Sequence, residues 1–318
     1  MTVSGSGDFF EETLSNFLGK ANIGDTTKYN TRKGMLLVTA TNIDIDNSAS
    51  IDRRDGLTPI ITGNYSSLYP YGEEFLAIKD DKDLVRLYQS GGSWTYSLLL
   101  SGVGGNEMRF VDTGRDVYMT NGIVIKKYDG SSVSDLDSVT MNMKIPMIAG
   151  DIIEYWKNSL IVSKDSRMYM SDINKFEMVD GRTGVKAFPG TITMVEGLST
   201  GIWVGTTKGA WFLFDKDIVG QEIGDIKLKH FKKLDFGGIK NSSIKVYNIT
   251  TNTGTYNKKD YDEAVMFVTT NGVIIAGDDG NYENLTSDKY EMPSNVREAI
   301  SVYRKTDNKD QFMTVLKY

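Results

Sequence analysis

The sequence predicts an all-β fold, a β-propeller of six blades whose last blade is shared by both termini, preceded by a short N-terminal helix and arm. Three observations carry this. Apolar clusters rich in β-branched and aromatic residues alternate with polar ones and are bounded by Gly, Asn, Asp and Ser, as strands and hairpins require, while helical periodicity is nearly absent. The central large residues of successive clusters, Leu76, Tyr118, Ile161, Trp203 and Phe267, lie 42, 43, 42 and 64 residues apart, a repeat in the low forties. The turns repeat as well, with Asn121-Gly122, Lys208-Gly209 and Asn271-Gly272 placing glycine where a two-residue hairpin needs positive φ.

Along the chain, residues 1–33 form an arm. In "DFFEETLSNFLGK", Asp8 is placed as an N-cap with Glu11 three residues on, Phe10, Leu14, Phe17 and Leu18 fall on one side, and Gly19 stops the turn, which predicts a short amphipathic helix. Such an arm either packs on its own propeller or docks on a neighbouring subunit. Residues 34–318 form the propeller. A period of about 42 residues with several short strands per unit fits a four-stranded blade, since helical repeats of that length need amphipathic helices that are missing here. The last interval exceeds the period by about 22 residues, which places an irregular insertion at about 218–260. The C-terminal "EAISVYRKTDNKDQFMTVLKY" supplies two strands only, and "ATNIDIDNSASIDRRDGLTPI" near the start supplies another pair. Joining the two pairs closes the ring and leaves no open edge. Five or seven blades are the alternatives to this count of six.

Composition bounds the chemistry. With no cysteine there is neither a disulfide framework nor a Cys-ligated metal site, and a single histidine, His230, excludes a multi-His site within one chain. No cofactor is expected. A net charge of -6 argues against a protein that wraps nucleic acid with its whole surface. No signal peptide and no membrane span is expected, so the chain should act where it is made. There is no G-x-S-x-G, no phosphate loop of the G-x-x-x-x-G-K-[ST] type, and no partner set around His230, so no enzymatic role is expected. Asp278-Asp279 sits in a turn-like "GDDGN".

The stretch carried by Asn42, Asp44, Asp46, Arg53, Arg54 and Gly56 resembles the N-terminal signature of tailed-bacteriophage virion propellers, in which N-x-D-x-D, a small turn and R-R-P-G precede the first blade. The relatives in view are the tail nozzle (tubular) proteins and the packaged-DNA-stabilising tail hub proteins of short-tailed phages. Asp55 stands where those proteins commonly have proline, and the chain has little room for the insertions that build a nozzle platform. The resemblance implies a structural virion protein, made in the host cytoplasm, at the tail or the head-to-tail junction. It also implies partners: copies of itself in a ring of six- or twelve-fold order, other tail or connector proteins, and packaged DNA passing through the ring without sequence-specific binding.

The residues placed at subunit contacts or facing phosphate follow from pattern. Arg53 and Arg54 point to opposite faces of a strand, so one can pair with Asp44 or Asp46 while the other reaches a partner. In "DIKLKHFKKLDF", Lys227 and Lys229 share one strand face, with Lys232, Lys233, Lys240 and Lys245 nearby, as a solvated face or a local basic surface. Phe10, Leu14 and Phe17 are the arm's contact residues. The alternative function is a glycan- or receptor-binding propeller with Trp156, Trp203 and Trp211 lining a pocket, although aromatic residues at repeat positions also suit a blade core.

Overall fold

The computed structural model describes residues 59–137, 141–214, 231–252, 258–286, 292–306 and 309–318, with the backbone alone of seven short strands before residue 54 and of residues 231, 232, 252, 258, 306, 309 and 310. Five antiparallel sheets of at least four strands follow one another along the chain. Blade 1 spans residues 65–100, blade 2 spans 109–135, blade 3 is built on a meander over 152–180, blade 4 spans 192–234 and blade 5 spans 244–284. Within each, strands pair in sequence order, the meander of a propeller blade. Leu76, Tyr118, Ile161, Trp203 and Phe267 each fall in the second strand of their blade, so the sequence period is the blade period.

Successive blades pack face to face because side chains on a strand alternate. In blade 2, Val117 and Met119 join Leu76, Ile78 and Leu84 of blade 1, while Tyr118 turns the other way to Ile153, Leu160 and Val162 of blade 3. In blade 4, Ile202 and Val204 meet Trp156, Ile161 and Met168 of blade 3, and Trp203 meets Val265, Phe267 and Ile274 of blade 5. Two indoles add polar clamps between blades: Trp156 Nε1 donates to the Leu198 carbonyl at 2.6 Å, and Trp203 Nε1 to the Gly277 carbonyl at 2.9 Å. Gly197 makes the first clamp feasible, since a Cβ there would lie 2.5 Å from the Trp156 ring. The three hairpin glycines have positive φ: 82° at Gly122, 154° at Gly209 and 129° at Gly272. A buried threonine ends the strand before each of these turns, and the Thr206 and Thr269 hydroxyls accept from the Lys208 and Asn271 amides.

Irregularity is wider than the sequence predicts. Blade 3 also carries Lys144–Pro146 on its outer strand and Val185–Ala187 on its third, with Lys144 Nζ held by Asp172 at 2.6 Å and Asp180 at 3.2 Å. The expected insertion falls partly on residues 215–230, outside the described residues, and partly on an elongated hairpin, Ile244–Asn252 and Lys258–Thr269, that opens blade 5.

The N-terminal arm departs from its expected helix. Phe9–Glu11 is a strand paired with Thr2–Ser4, Phe10 opposite Val3, and Phe17–Lys20 runs parallel to Gly34–Leu37, Phe17 opposite Met35. A helix of about eleven residues is marginal without a surface to pack on. Phe9, Phe10 and Phe17 favour strands. Leu14 lies outside the described residues. The ladder at Met35 also crosses the expected arm boundary at residue 33.

Both halves of the sixth blade exist as hairpins: Glu298–Thr306 with Lys309–Lys317, and Ile43–Ile45 with Ile51–Arg53. The C-terminal hairpin packs Tyr303, Phe312, Ala299 and Leu316 onto blade 5. Among the described residues no ladder joins the two hairpins.

Trp203 is fully buried and clamps blade 4 to blade 5. Trp203→Phe removes one of the hydrogen bonds to the Gly277 carbonyl, which keeps the Gly280 amide at 3.2 Å, and leaves a void beside Phe212, an expected loss of about 3 kcal/mol. Thermal melts should show a midpoint lowered by several degrees, whereas Trp94→Phe, at a half-buried outer strand, should change it little.

Candidate functional site

The inner strands of the blades converge on the propeller axis, and five of them bring ionisable side chains together there. Blade 1 supplies Tyr69 from Tyr65–Tyr71, blade 2 Arg109 from Arg109–Asp112, and blade 3 Glu154 from Ile152–Trp156. Blade 4 supplies Glu196 from Ile192–Leu198, and blade 5 Lys245 from Ile244–Asn252. In blade 3, Ile153 and Tyr155 face away from Glu154 by alternation, so an acidic residue inside an apolar strand is turned to the axis.

Lys245 Nζ donates to Glu154 Oε1 at 2.7 Å, reaching from blade 5 past blade 4 to blade 3. Glu154 is buried, and the Tyr155 amide also donates to its Oε1 at 3.1 Å. Burial, then the neighbouring Glu196 carboxylate, pushes the Glu154 carboxyl up to about 7, with Lys245 opposing. Glu196 is likewise raised, chiefly by burial among the surrounding blades, against the pull of Lys245, a hydrogen bond from Ser243 and the charge of Arg109. Burial alone would lower Lys245, but the two carboxylates hold it above its ordinary value, so it remains a cation. Tyr69 is raised by burial and by Asp112 and Glu154. Two acids around one ammonium leave Glu154 titrating near neutrality.

A second tie joins the starts of blades 5 and 2. Asn241, just before the inner strand of blade 5, donates through Nδ2 to Glu107, just before that of blade 2, and to Glu298 at the start of the C-terminal hairpin. Glu107 pairs with Arg109 at 3.5 Å and Glu298 with Lys317 at 3.2 Å. This tie joins blade 5 to blade 2, three blades earlier in the series. Beside it lies a cleft of about 180 Å³ lined by Ser66, Ser67, Ile78, Asp81, Gly105, Asn106 and Glu107. A ligand pocket runs to roughly 300–1,000 Å³, so this cleft is small for a sugar or cofactor. Among the described residues no three or more acidic or histidine side chains are grouped to hold a metal ion.

The residues singled out from sequence do not meet here, apart from Lys245. That lysine is turned into the axis and is no part of a basic surface. Arg53 lies opposite Ile43, and Asp44 opposite Asp52, so Arg53 shares a face with Ile43, Ile45 and Ile51 and is not across from Asp44. Arg54, Asp46, Lys227 and Lys229 lie outside the described residues. Lys232 is opposite Trp211 in the outer strand of blade 4, and Lys233 Nζ sits 5.9 Å from the centre of the Phe214 ring. Trp156, Trp203 and Trp211 are blade core, at most 5% exposed, and none lines the cleft beside Glu107. Asp278 accepts from Ser199 Oγ at 2.9 Å and Asp279 from the Asn281 amide at 2.8 Å, so this acidic pair is a turn anchored to blade 4.

Glu154 and Glu196 stand 42 residues apart, one repeat, each the one acidic residue of an apolar inner strand. That spacing is the sequence signal for the pair.

No protein-family description matches the chain, and no curated protein does. Among solved structures it is similar to YCF48 bound to D1 peptide, at 12% identity over 85% of this chain and 82% of that one, TM-score 0.44. It is also similar to the Neurospora crassa Pan2 WD40 domain, at 12% identity over 74% and 82%, TM-score 0.35. A third is Saccharomyces cerevisiae Sqt1, at 11% identity over 79% and 66%, TM-score 0.37. The propeller assignment rests on the blade order and packing of the chain itself.

Because Glu154 is raised above 4.5, the fold holds a proton between about pH 4.5 and 7 that the unfolded chain has released. Stability therefore falls as pH rises through this window, by up to about 3 kcal/mol from this group. Denaturant titrations should show Glu154→Gln flattening that slope. Lys245→Met, which strips the cation from two buried acids, should cost about 3–5 kcal/mol at pH 8 and recover most of it at pH 5.

Proposed function

We propose that the chain is an architectural propeller, a structural component of a tailed-phage virion that builds a ring with copies of itself at the tail or head-to-tail junction. The observation that carries the architectural half is the cross-axis network of Glu154, Glu196, Lys245, Glu107 and Asn241. Here Lys245 ties blade 5 to Glu154 of blade 3 and Asn241 ties blade 5 to Glu107 of blade 2, contacts that brace one blade against another. DNA would pass through the ring of copies, outside each propeller's own axis, and the net charge of -6 favours passage without tight binding.

The virion half of the reading is supported by the likeness of Asn42, Asp44, Asp46, Arg53, Arg54 and Gly56 to phage tail propellers. The partners are then further copies of the chain and adjoining tail or connector proteins, and the place of action is the particle.

Electron microscopy and mass spectrometry of purified particles test this. The expected result is the protein in stoichiometric amount within the particle and a ring of regular order at its tail or connector. A chain that stays monomeric with virion components present and is absent from particles overturns the proposal.

A further inference from the structure

Blade 1 ends on an outer strand unlike those of the other blades. Blade 2 closes on Val133–Asp135 and blade 5 on Tyr282–Asn284, three residues each with an acidic side chain among them. The outer strand of blade 4, Phe231–Leu234, carries two lysines, and blade 3 is covered by Lys144–Pro146, with a lysine and a proline. Short length, charge and proline are what keep a sheet edge from pairing with another chain. In blade 1 the outer strand is Ser93–Leu100, eight residues with neither charge nor proline and none of them buried. Tyr96 is 45% exposed and Leu98 57%. Among the described residues no strand pairs with its outer edge, where alternate backbone amides and carbonyls point outward. Its ladder with the third strand is unbroken from Ser93 to Leu98, so this edge is a regular template.

We propose that Ser93–Leu100 is an interface at which a second copy of this chain pairs its own Ser93–Leu100 antiparallel, joining two propellers across a two-fold axis at Tyr96. The side chains select a copy as the occupant, because Trp94-Thr95-Tyr96-Ser97-Leu98 is symmetric in character about its centre. With Tyr96 opposite its counterpart, Trp94 of each copy meets Leu98 of the other on one face of the sheet. On the opposite face Thr95 of each copy meets Ser97 of the other. These are the aromatic, apolar and hydroxyl pairs that stabilise antiparallel ladders, and no like charges are brought together. Each copy already holds the aromatic face in place. Tyr65 stands edge-on to Tyr96 at 6.5 Å between ring centres, Lys79 Nζ lies 5.2 Å from the centre of the Tyr96 ring, and Phe75 packs on Trp94. The pairing joins two four-stranded blades into one continuous sheet. A two-fold contact uses the same patch on both partners and closes at two copies. It is therefore separate from the ring contact proposed above and does not depend on the virion reading.

Sedimentation of the purified full chain, without virion components, tests this. The parent should show a monomer–dimer equilibrium that moves toward dimer as loading rises. Tyr96→Lys and Tyr96→Glu each set like charges opposite one another at the two-fold axis, so either variant alone should run as monomer where the parent is dimeric. Mixing the two variants should restore the dimer, because position 96 then faces its opposite charge. Melting midpoints near the parent's show that both variants fold. The absence of cysteine permits a second, register-specific test. Residues directly opposite have Cβ atoms roughly 5 Å apart, so Tyr96→Cys should cross-link to itself on oxidation by copper-phenanthroline. Thr95→Cys should cross-link to Ser97→Cys in a mixture, in preference to itself. A parent that stays monomeric at every loading leaves this edge to some other partner and overturns the proposal. A dimer that survives both charges places the interface elsewhere, and a mixture that stays monomeric denies the two-fold axis at Tyr96; each overturns it too. If a charged variant fails to fold, the cross-links decide alone, and Thr95→Cys joining itself but not Ser97→Cys sinks the register and the proposal with it.

Discussion

Each blade's second strand has to be covered on both faces, and only neighbouring blades can cover it. A single antiparallel sheet buries one face at most, yet here Val117, Tyr118 and Met119 are all buried, as are Ile202, Trp203 and Val204. At about 25 cal/mol per Å² of apolar area, leaving one such face wet would forfeit several kcal/mol per blade. The blades are therefore obliged to stand in series, and the series must either close on itself or end on exposed apolar faces. The clamps from Trp156 and Trp203, the close approach at Gly197 and the buried threonines before the turns are all consequences of that contact.

The blade series was legible from sequence because its determinants are local. Alternation, turn glycines and a period near 42 can be read without knowing any partner, and the five marker residues land in equivalent strands. The axial cluster was not legible in the same way. Lysine on a strand reads as solvated whether it faces water or an axis, and Lys245 is assigned only by the blade that faces it, 91 residues away at Glu154. The helix expected around Phe10 and Phe17 failed because capping and spacing say what a segment forms alone, while pairing with Val3 and Met35 is a non-local matter. Blade 3's additional strands have the same origin: Lys144 is drawn in by Asp172 and Asp180, which no window around residue 144 reveals.

The tryptophans show how repeat position bears on role. As exposed rings they would suit stacking on a sugar, and as repeat-position residues they suit a core. Burial of Trp203, with its indole nitrogen bonded to the Gly277 carbonyl, puts it in the core, since its one donor is already used between blades.

The axial charges and the apolar blade faces follow from one geometry. Strands that converge at a centre leave too little room there for interleaved apolar side chains, but room for long side chains meeting end to end, so the axis is filled by Glu154, Glu196 and Lys245. Burying ionisable groups costs more than it returns unless they neutralise one another, and the burial of Glu154 and Glu196 accordingly raises both carboxyls. Such a cluster stabilises weakly but fixes which blades face each other, because a slipped register would strand an uncompensated charge. Away from the axis the blades diverge, room returns, and apolar packing takes over. Ionic ties can set the order of blades at the centre, while apolar packing between blade faces holds them together away from it.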